Sequence, residues 1–170
     1  MAVKLVKPIN HKKVVKITNQ DFEAKMRELR VNSDIAVAVS GGPDSLALMH
    51  LSNRYALNNN INLTVLSIDH GIRAESSKEI VWLKKVAKKN KINFYSTKLK
   101  KKINSSNTLS KARTLRYEAL SKYCNKKKIK FLLTAHHLDD EIENFLMRLI
   151  RGSGVKGLSS LKEKSRYKNT

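Results

Sequence analysis

Short apolar runs alternate with longer amphipathic segments along most of this 170-residue chain. The runs fall at 34–39, 61–68, 92–97 and 129–134, lengths that suit buried strands better than helices. Between them, 43–57, 76–89 and 108–125 repeat apolar residues at helical spacing. Ile80, Leu83 and Ala87 share a face in the second of these, and Leu109, Ala112, Leu115 and Leu120 fall inside the third. Pro43 suits the first turn of a helix, Asn58, Asn59 and Asn60 stop it, and Ser76 or Ser77 caps the next. A further helix is expected over 138–150, ending near Gly152. A short one precedes the first strand, where Thr18 and Asp21 form a capping-box pattern ahead of Phe22, Met26 and Leu29. Strands alternating with helices in this way predict an α/β fold, a Rossmann-like parallel sheet covered by helices on both faces. In such sheets a ligand lies beyond the carboxyl ends of the strands, where the strand order reverses. The residues that follow each strand are therefore where chemistry is expected.

The first strand runs into Ser40-Gly41-Gly42-Pro43-Asp44-Ser45. Two glycines allow a tight turn and close backbone approach to an anion, and the next helix aims its positive end at the same place. Ser40 and Ser45 add hydroxyls. A Gly-rich strand-to-helix turn is the plain alternative, but six such residues directly after a buried strand favour a phosphate cradle. The Gly-Lys-Ser/Thr ending of a Walker loop and the third glycine of a dinucleotide fingerprint are both missing. Asp44 would repel bound phosphates unless a divalent metal lies between them or the carboxylate handles a proton.

The second strand ends in Asp69-His70-Gly71-Ile72-Arg73, where an acid suits a ribose or base edge as well as an ordinary turn. Arg113 and Arg116 lie three apart on one helical face and can clamp phosphates, although an isolated pair is more often a solvated basic face. After the fourth strand come His136, His137, Asp139, Asp140 and Glu143, with the three carboxylates in one arc of a helix start. Acids in a first turn also simply stabilise a helix. This cluster exceeds what capping needs, and its oxygens suit Mg²⁺ better than zinc. Arg148, Arg151, Gly152, Ser153, Gly154 and Gly157 form a basic glycine-rich turn that could meet phosphate or merely cap a helix.

The formal net charge of +21 attracts polyanions, nucleic acid first among them. Of 35 basic residues, 26 are lysine and nine arginine, a bias that an A/T-rich genome also produces. A single cysteine, Cys124, rules out a disulfide framework within the chain and points to a reducing cytoplasm. No apolar run is long enough to cross a bilayer, so no membrane association is expected. The domain reading is a basic leader over 1–17, either disordered or an edge strand, followed by one catalytic domain over 18–170. No C-terminal tRNA-binding domain is read within these residues.

Ser-Gly-Gly-Pro-Asp-Ser resembles the loop of the N-type ATP pyrophosphatases, the PP-loop superfamily. Four further segments, Ile68 to Arg73, Ala112 to Tyr117, Thr134 to Glu143 and Arg148 to Leu158, are similar to the tRNA(Ile)-lysidine synthetases, over about residues 30–160. Asn144 stands where that family usually has Thr or Ser, and family members continue beyond the segment matched here.

The resemblance implies a carbon–nitrogen ligase of the PP-loop fold. It would use ATP and Mg²⁺ to adenylate carbon 2 of the wobble cytidine in tRNA(Ile) with a CAU anticodon, and free L-lysine would then displace AMP. It implies that Ser40, Gly41, Gly42, Pro43, Asp44 and Ser45 hold ATP, and that Ile68, Asp69 and His70 lie near adenosine. Arg113 or Arg116 would stabilise adenylation. His136, Asp140 and Glu143 would form the metal and lysine side, with Asp44 and Asp140 as metal ligands, while Arg148, Arg151 and Gly152 would meet ATP or tRNA. Two alternatives stay open. One is another PP-loop adenylating enzyme, although tRNA thiolation normally needs cysteine pairs. The other is an inactive ATP- or RNA-binding fragment, which pyrophosphate release would distinguish. A homodimer is compatible with the sequence, which does not itself fix the oligomeric state.

Overall fold

The computed structural model describes residues 2–4, 17–69, 76–98, 108–135 and 164–165. Its first regular elements are strand β1 (Ala2–Lys4) and helix α1 (Asn19–Glu28). The alternating series follows: β2 (Ile35–Ala38), α2 (Pro43–Asn58), β3 (Leu63–Asp69), α3 (Ser76–Lys89), β4 (Asn93–Lys98), α4 (Thr108–Lys127) and β5 (Phe131–Thr134). A two-residue strand, β6 (Lys164–Ser165), completes the sheet among the described residues. The helix expected over 138–150 lies outside them.

Local chemistry sets the element ends. Thr18 Oγ1 accepts the Asp21 amide at 3.1 Å and Asp21 Oδ2 accepts the Thr18 amide at 2.9 Å, so the capping box at the start of α1 is closed in both directions. Pro43 begins α2, where its missing amide hydrogen costs nothing. The turns after α1, α2, α3 and α4 each contain a non-glycine residue of positive φ, namely Arg30, Asn60, Lys91 and Lys128. Such left-handed residues let the chain reverse into the next strand.

The strand order is β4-β3-β2-β5-β1-β6. Every neighbouring pair is parallel except β1 with β6. From β2 the chain steps outward through β3 to β4, then crosses back to lay β5 on the other side of β2. The order therefore reverses between β2 and β5. The residues read as a basic leader supply β1, which pairs with β5 and is flanked by β6.

Side chains alternate across this sheet as a period of two requires. Ile35 and Val37 of β2, Val65 of β3 and Leu133 of β5 enter one core with Phe22 and Met26 of α1, Met49 of α2, and Leu83 and Ala87 of α3. Ala36, Leu66 and Leu132 point the other way and pack with Leu120 and Cys124 of α4. Helices thus cover both faces, as the alternating pattern predicts. Each fully buried aliphatic contributes about 1.5–3 kcal/mol, so among the described residues the core under α1, α2 and α3 contributes the larger share. β4 takes the sheet edge and is largely exposed, with Tyr95 stacked on Tyr123 of α4 at a centroid distance of 4.1 Å.

Candidate active site

At the reversal point, β2 leads through Val39 into the Ser40-Gly41-Gly42 loop, and α2 begins at Pro43. Gly41 has φ +93°, a conformation that side chains with a Cβ rarely adopt, and a Cβ built there would meet nothing within 4 Å. A Cβ on Gly42 would come only as near as 3.8 Å to Ser40 Oγ. The outer surface of the loop is thus bare backbone facing open space, a shape suited to close approach by an anion.

Ser45 holds the loop from inside. Its hydroxyl donates to the Gly42 carbonyl at 2.8 Å and accepts the Ser40 amide at 3.3 Å, while Ser40 Oγ lies 3.4 Å away. The Ser45 proton is therefore committed to loop structure, whereas the exposed Ser40 hydroxyl stands at the outer rim. The first helical bond of α2 runs from the Leu46 amide to the Gly42 carbonyl. The Asp44 and Ser45 amides precede it and point out of the helix end, where the dipole favours negative charge. Asp44 is exposed on the same turn.

Beside the loop lies an open recess. Ala38, Val39 and Ser40 line it from the end of β2, Leu66 and Ile68 from β3, and Thr134 and Ala135 from the end of β5. Ser45 contributes from α2, and Arg116 and Leu120 from α4. An apolar floor under a few converging polar groups is the usual makeup of a small-molecule site. The recess sits beyond the carboxyl ends of three parallel strands at the switch point, where this architecture places its ligands.

Of the residues singled out in the sequence, Ser40, Ser45, Ile68 and Arg116 meet at this recess. Gly41, Gly42, Pro43 and Asp44 form the adjoining loop. Asp69 is buried at the end of β3, opposite Lys98 in the strand register, and does not line the recess. Arg113 lies one turn before Arg116, and both guanidinium groups approach the Tyr117 ring, at 6.0 and 5.6 Å. Of the two arginines, Arg116 is the one that reaches the recess. His70, His136, Asp140, Glu143, Arg148, Arg151 and Gly152 lie outside the described residues. Among the described residues no group of three or more His, Cys, Asp or Glu gathers to hold a metal.

One lining residue had no role assigned from sequence. Thr134 is 4% exposed, and its hydroxyl has no hydrogen-bond partner among the described residues. Its neighbours on β5, Phe131 and Leu133, face the larger core, so alternation turns Thr134 toward α4 and the recess. A lone polar residue closing an apolar strand at its carboxyl end is the signal that marks it.

The profile of the PP-loop domain family matches residues 10–170. A tRNA(Ile)-lysidine synthase of Rickettsia bellii is 50% identical over 128 residues, 75% of this chain and 30% of the relative. The Rickettsia typhi tRNA(Ile)-lysidine synthase is 42% identical over 144 residues, 83% of this chain and 34% of the relative. The chain thus spans about a third of the length of the curated relatives it matches. Among solved structures, a U34-tRNA thiolase from Methanococcus maripaludis with a [4Fe-4S] cluster superposes with a TM-score of 0.68 at 26% identity, over 81% of this chain and 51% of that one.

Proposed function

The chain belongs to the PP-loop domain family, and on that premise we propose that it performs the ATP-using chemistry of tRNA(Ile)-lysidine synthesis. The O2 oxygen of the wobble cytidine in a CAU anticodon attacks the α-phosphorus of ATP, forming a P–O bond as the α–β bond breaks and pyrophosphate leaves. The amine of free lysine then attacks carbon 2. A C–N bond forms, the C–O bond breaks, AMP departs and the amine gives up a proton. Adenylation converts a poor leaving oxygen into a good one.

The observation that carries this reading is the convergence of the bare Gly41-Gly42 backbone, the start of α2, Arg116 and the unpartnered Thr134 hydroxyl on one recess at the switch point. The loop amides hold the phosphates, and Arg116 offsets the charge that builds as pyrophosphate separates. Leu66, Ile68 and Leu120 supply the apolar surface for adenine. Thr134 donates its hydroxyl to the nucleotide. Asp44 is a single exposed oxygen donor beside the phosphate position and fits Mg²⁺, a hard cation held by few carboxylates alongside substrate phosphates. When bound, that ion neutralises phosphate charge. Asp140, Glu143 and His136 are proposed for the metal and lysine side of the same pocket.

The relatives' names, in which tRNA(Ile) is the substrate, support this choice among PP-loop chemistries. Cluster chemistry of the kind named for the Methanococcus thiolase takes several thiolates. This chain has one cysteine, Cys124, buried against α4's core partners with its thiol pushed up to about 11 by burial.

Incorporation of radiolabelled lysine into an unmodified tRNA(Ile) transcript with a CAU anticodon tests the reading. Incorporation that requires ATP is expected. Incorporation without ATP, or ATP binding equal in wild type and Gly41→Val, would overturn it.

A further inference from the structure

Helix α3 presents an outward face whose composition differs from that of an ordinary solvated helix. Leu83 and Ala87 are buried in the core and Val86 packs against it, which fixes the inward side. On the opposite side Lys78, Lys84, Lys85, Lys88 and Lys89 are exposed, none with an ion pair among the described residues. Glu79 is the helix's one acid. In the midst of these lysines stand Trp82, 47% exposed, and Val81, 56% exposed.

The spacing is regular. Taking 100° per residue, Lys78, Lys85 and Lys89 lie within about 60° of Trp82 around the helix axis. They form one ridge with it, each member about 5–6 Å from the next. Genomic A/T bias supplies lysines but does not supply a half-exposed tryptophan between them. Leaving so large an apolar ring in water is unfavourable, and a face this rich in lysine is unlike a protein–protein interface, in which lysine is depleted relative to the rest of the surface. Cations flanking an accessible aromatic face match a nucleic-acid strand, whose phosphates pair with the ammonium groups and whose unpaired base stacks on the ring.

The placement suits this role. α3 returns from the carboxyl end of β3 to the start of β4, so its first turns lie at the edge of the sheet where the recess opens, and Trp82 follows within two turns. We propose that the outward ridge of α3 is an RNA-binding surface, in which Trp82 stacks on an unpaired base of the tRNA and Lys78, Lys85 and Lys89 contact the flanking phosphates. This rests on the proposed tRNA substrate and adds to it a surface separate from the nucleotide recess.

Trp82 is the chain's only tryptophan, so its emission reports on this surface alone. The tRNA transcript is titrated into the protein while fluorescence and filter retention are recorded together. Quenching of Trp82 over the same concentration range as retention is expected. Trp82→Ala should weaken retention roughly tenfold. Lys85→Glu with Lys89→Glu should flatten the salt dependence by about 0.7–0.9 per lysine. Reversal of Lys126 and Lys127 at the far end of α4, an equal change in net charge, should cost much less. Retention with unchanged Trp82 emission, or equal losses from the two charge reversals, would overturn the surface while leaving the proposed substrate standing. No retention by the wild-type chain would overturn both. Emission that shifts on phosphatidylserine vesicles but not on tRNA would replace the RNA with a membrane.

Discussion

Thr134 holds a buried hydroxyl with no hydrogen-bond partner among the described residues, at the wall of the recess. Without a ligand, the unpartnered group costs about 1–3 kcal/mol relative to a satisfied one. Thr134→Val keeps the shape and removes that cost, so the variant should unfold at an equal or higher temperature than wild type. Its ATP affinity should nevertheless fall about tenfold, the worth of one good hydrogen bond. Calorimetry on the two proteins checks both halves, and lower thermal stability with unchanged affinity would assign the hydroxyl a structural role instead. Gly41 makes the complementary case. Its φ of +93° disfavours any side chain while the space around it is empty. Gly41→Ala should cost about 1–2 kcal/mol of stability through the backbone alone, measurable by urea unfolding, and should weaken ATP binding further. Gly41, Ser45 and Arg116 were legible as residues because their chemistry is unusual for their positions. Thr134 entered only as the first residue of a family-like segment, since a threonine ending a strand gains a role of its own only once the neighbouring strands are known.

At the scale of elements, sequence and structure agree where local chemistry decides. The Thr18–Asp21 box, the Pro43 start and the triple asparagine at the end of α2 each set a helix end that pattern alone predicts. Thr18→Ala should cost about 1 kcal/mol by loss of the cap. That loss should appear first as faster amide exchange in the initial turn of α1, and unchanged exchange there would show that tertiary packing alone holds the helix. Strand order was not legible, because nothing in 92–97 says that it takes the sheet edge rather than its centre. β1 and β6, at three and two residues, are too short to carry a period, and their pairing depends on partners distant in sequence. The recess inherits this difficulty, since its walls come from β2, β3, α4 and β5 and become a site only when the crossover brings β5 beside β2.

Over the whole molecule, both cores bury groups that ionise at high pH. The smaller one contains Cys124, fully buried, with its thiol pushed from 9.0 to about 11. Burial likewise raises Tyr55 and Tyr123. For such groups the unfolded chain ionises first, so the stabilisation is complete below pH 9 and is lost as pH rises through 9 toward 11. The thiol alone accounts for about 3 kcal/mol at 1.36 kcal/mol per unit. Urea unfolding at pH 8 and 10.5 should show this decline, and Cys124→Ala should reduce it. An undiminished decline in the variant would shift the effect to the tyrosines. Among the described residues, no helix is long and apolar enough to cross a membrane.

The pairing of Ala2 with Leu132 has a consequence for synthesis. β1 leaves the ribosome before its parallel partner, which is translated about 130 residues later. At roughly 5–20 residues per second, that is an interval of about 7–25 s. During it the nascent segment has open hydrogen-bonding edges on both sides, and β2, β3 and β4 can assemble without it. The closing half of the sheet is thus timed by translation.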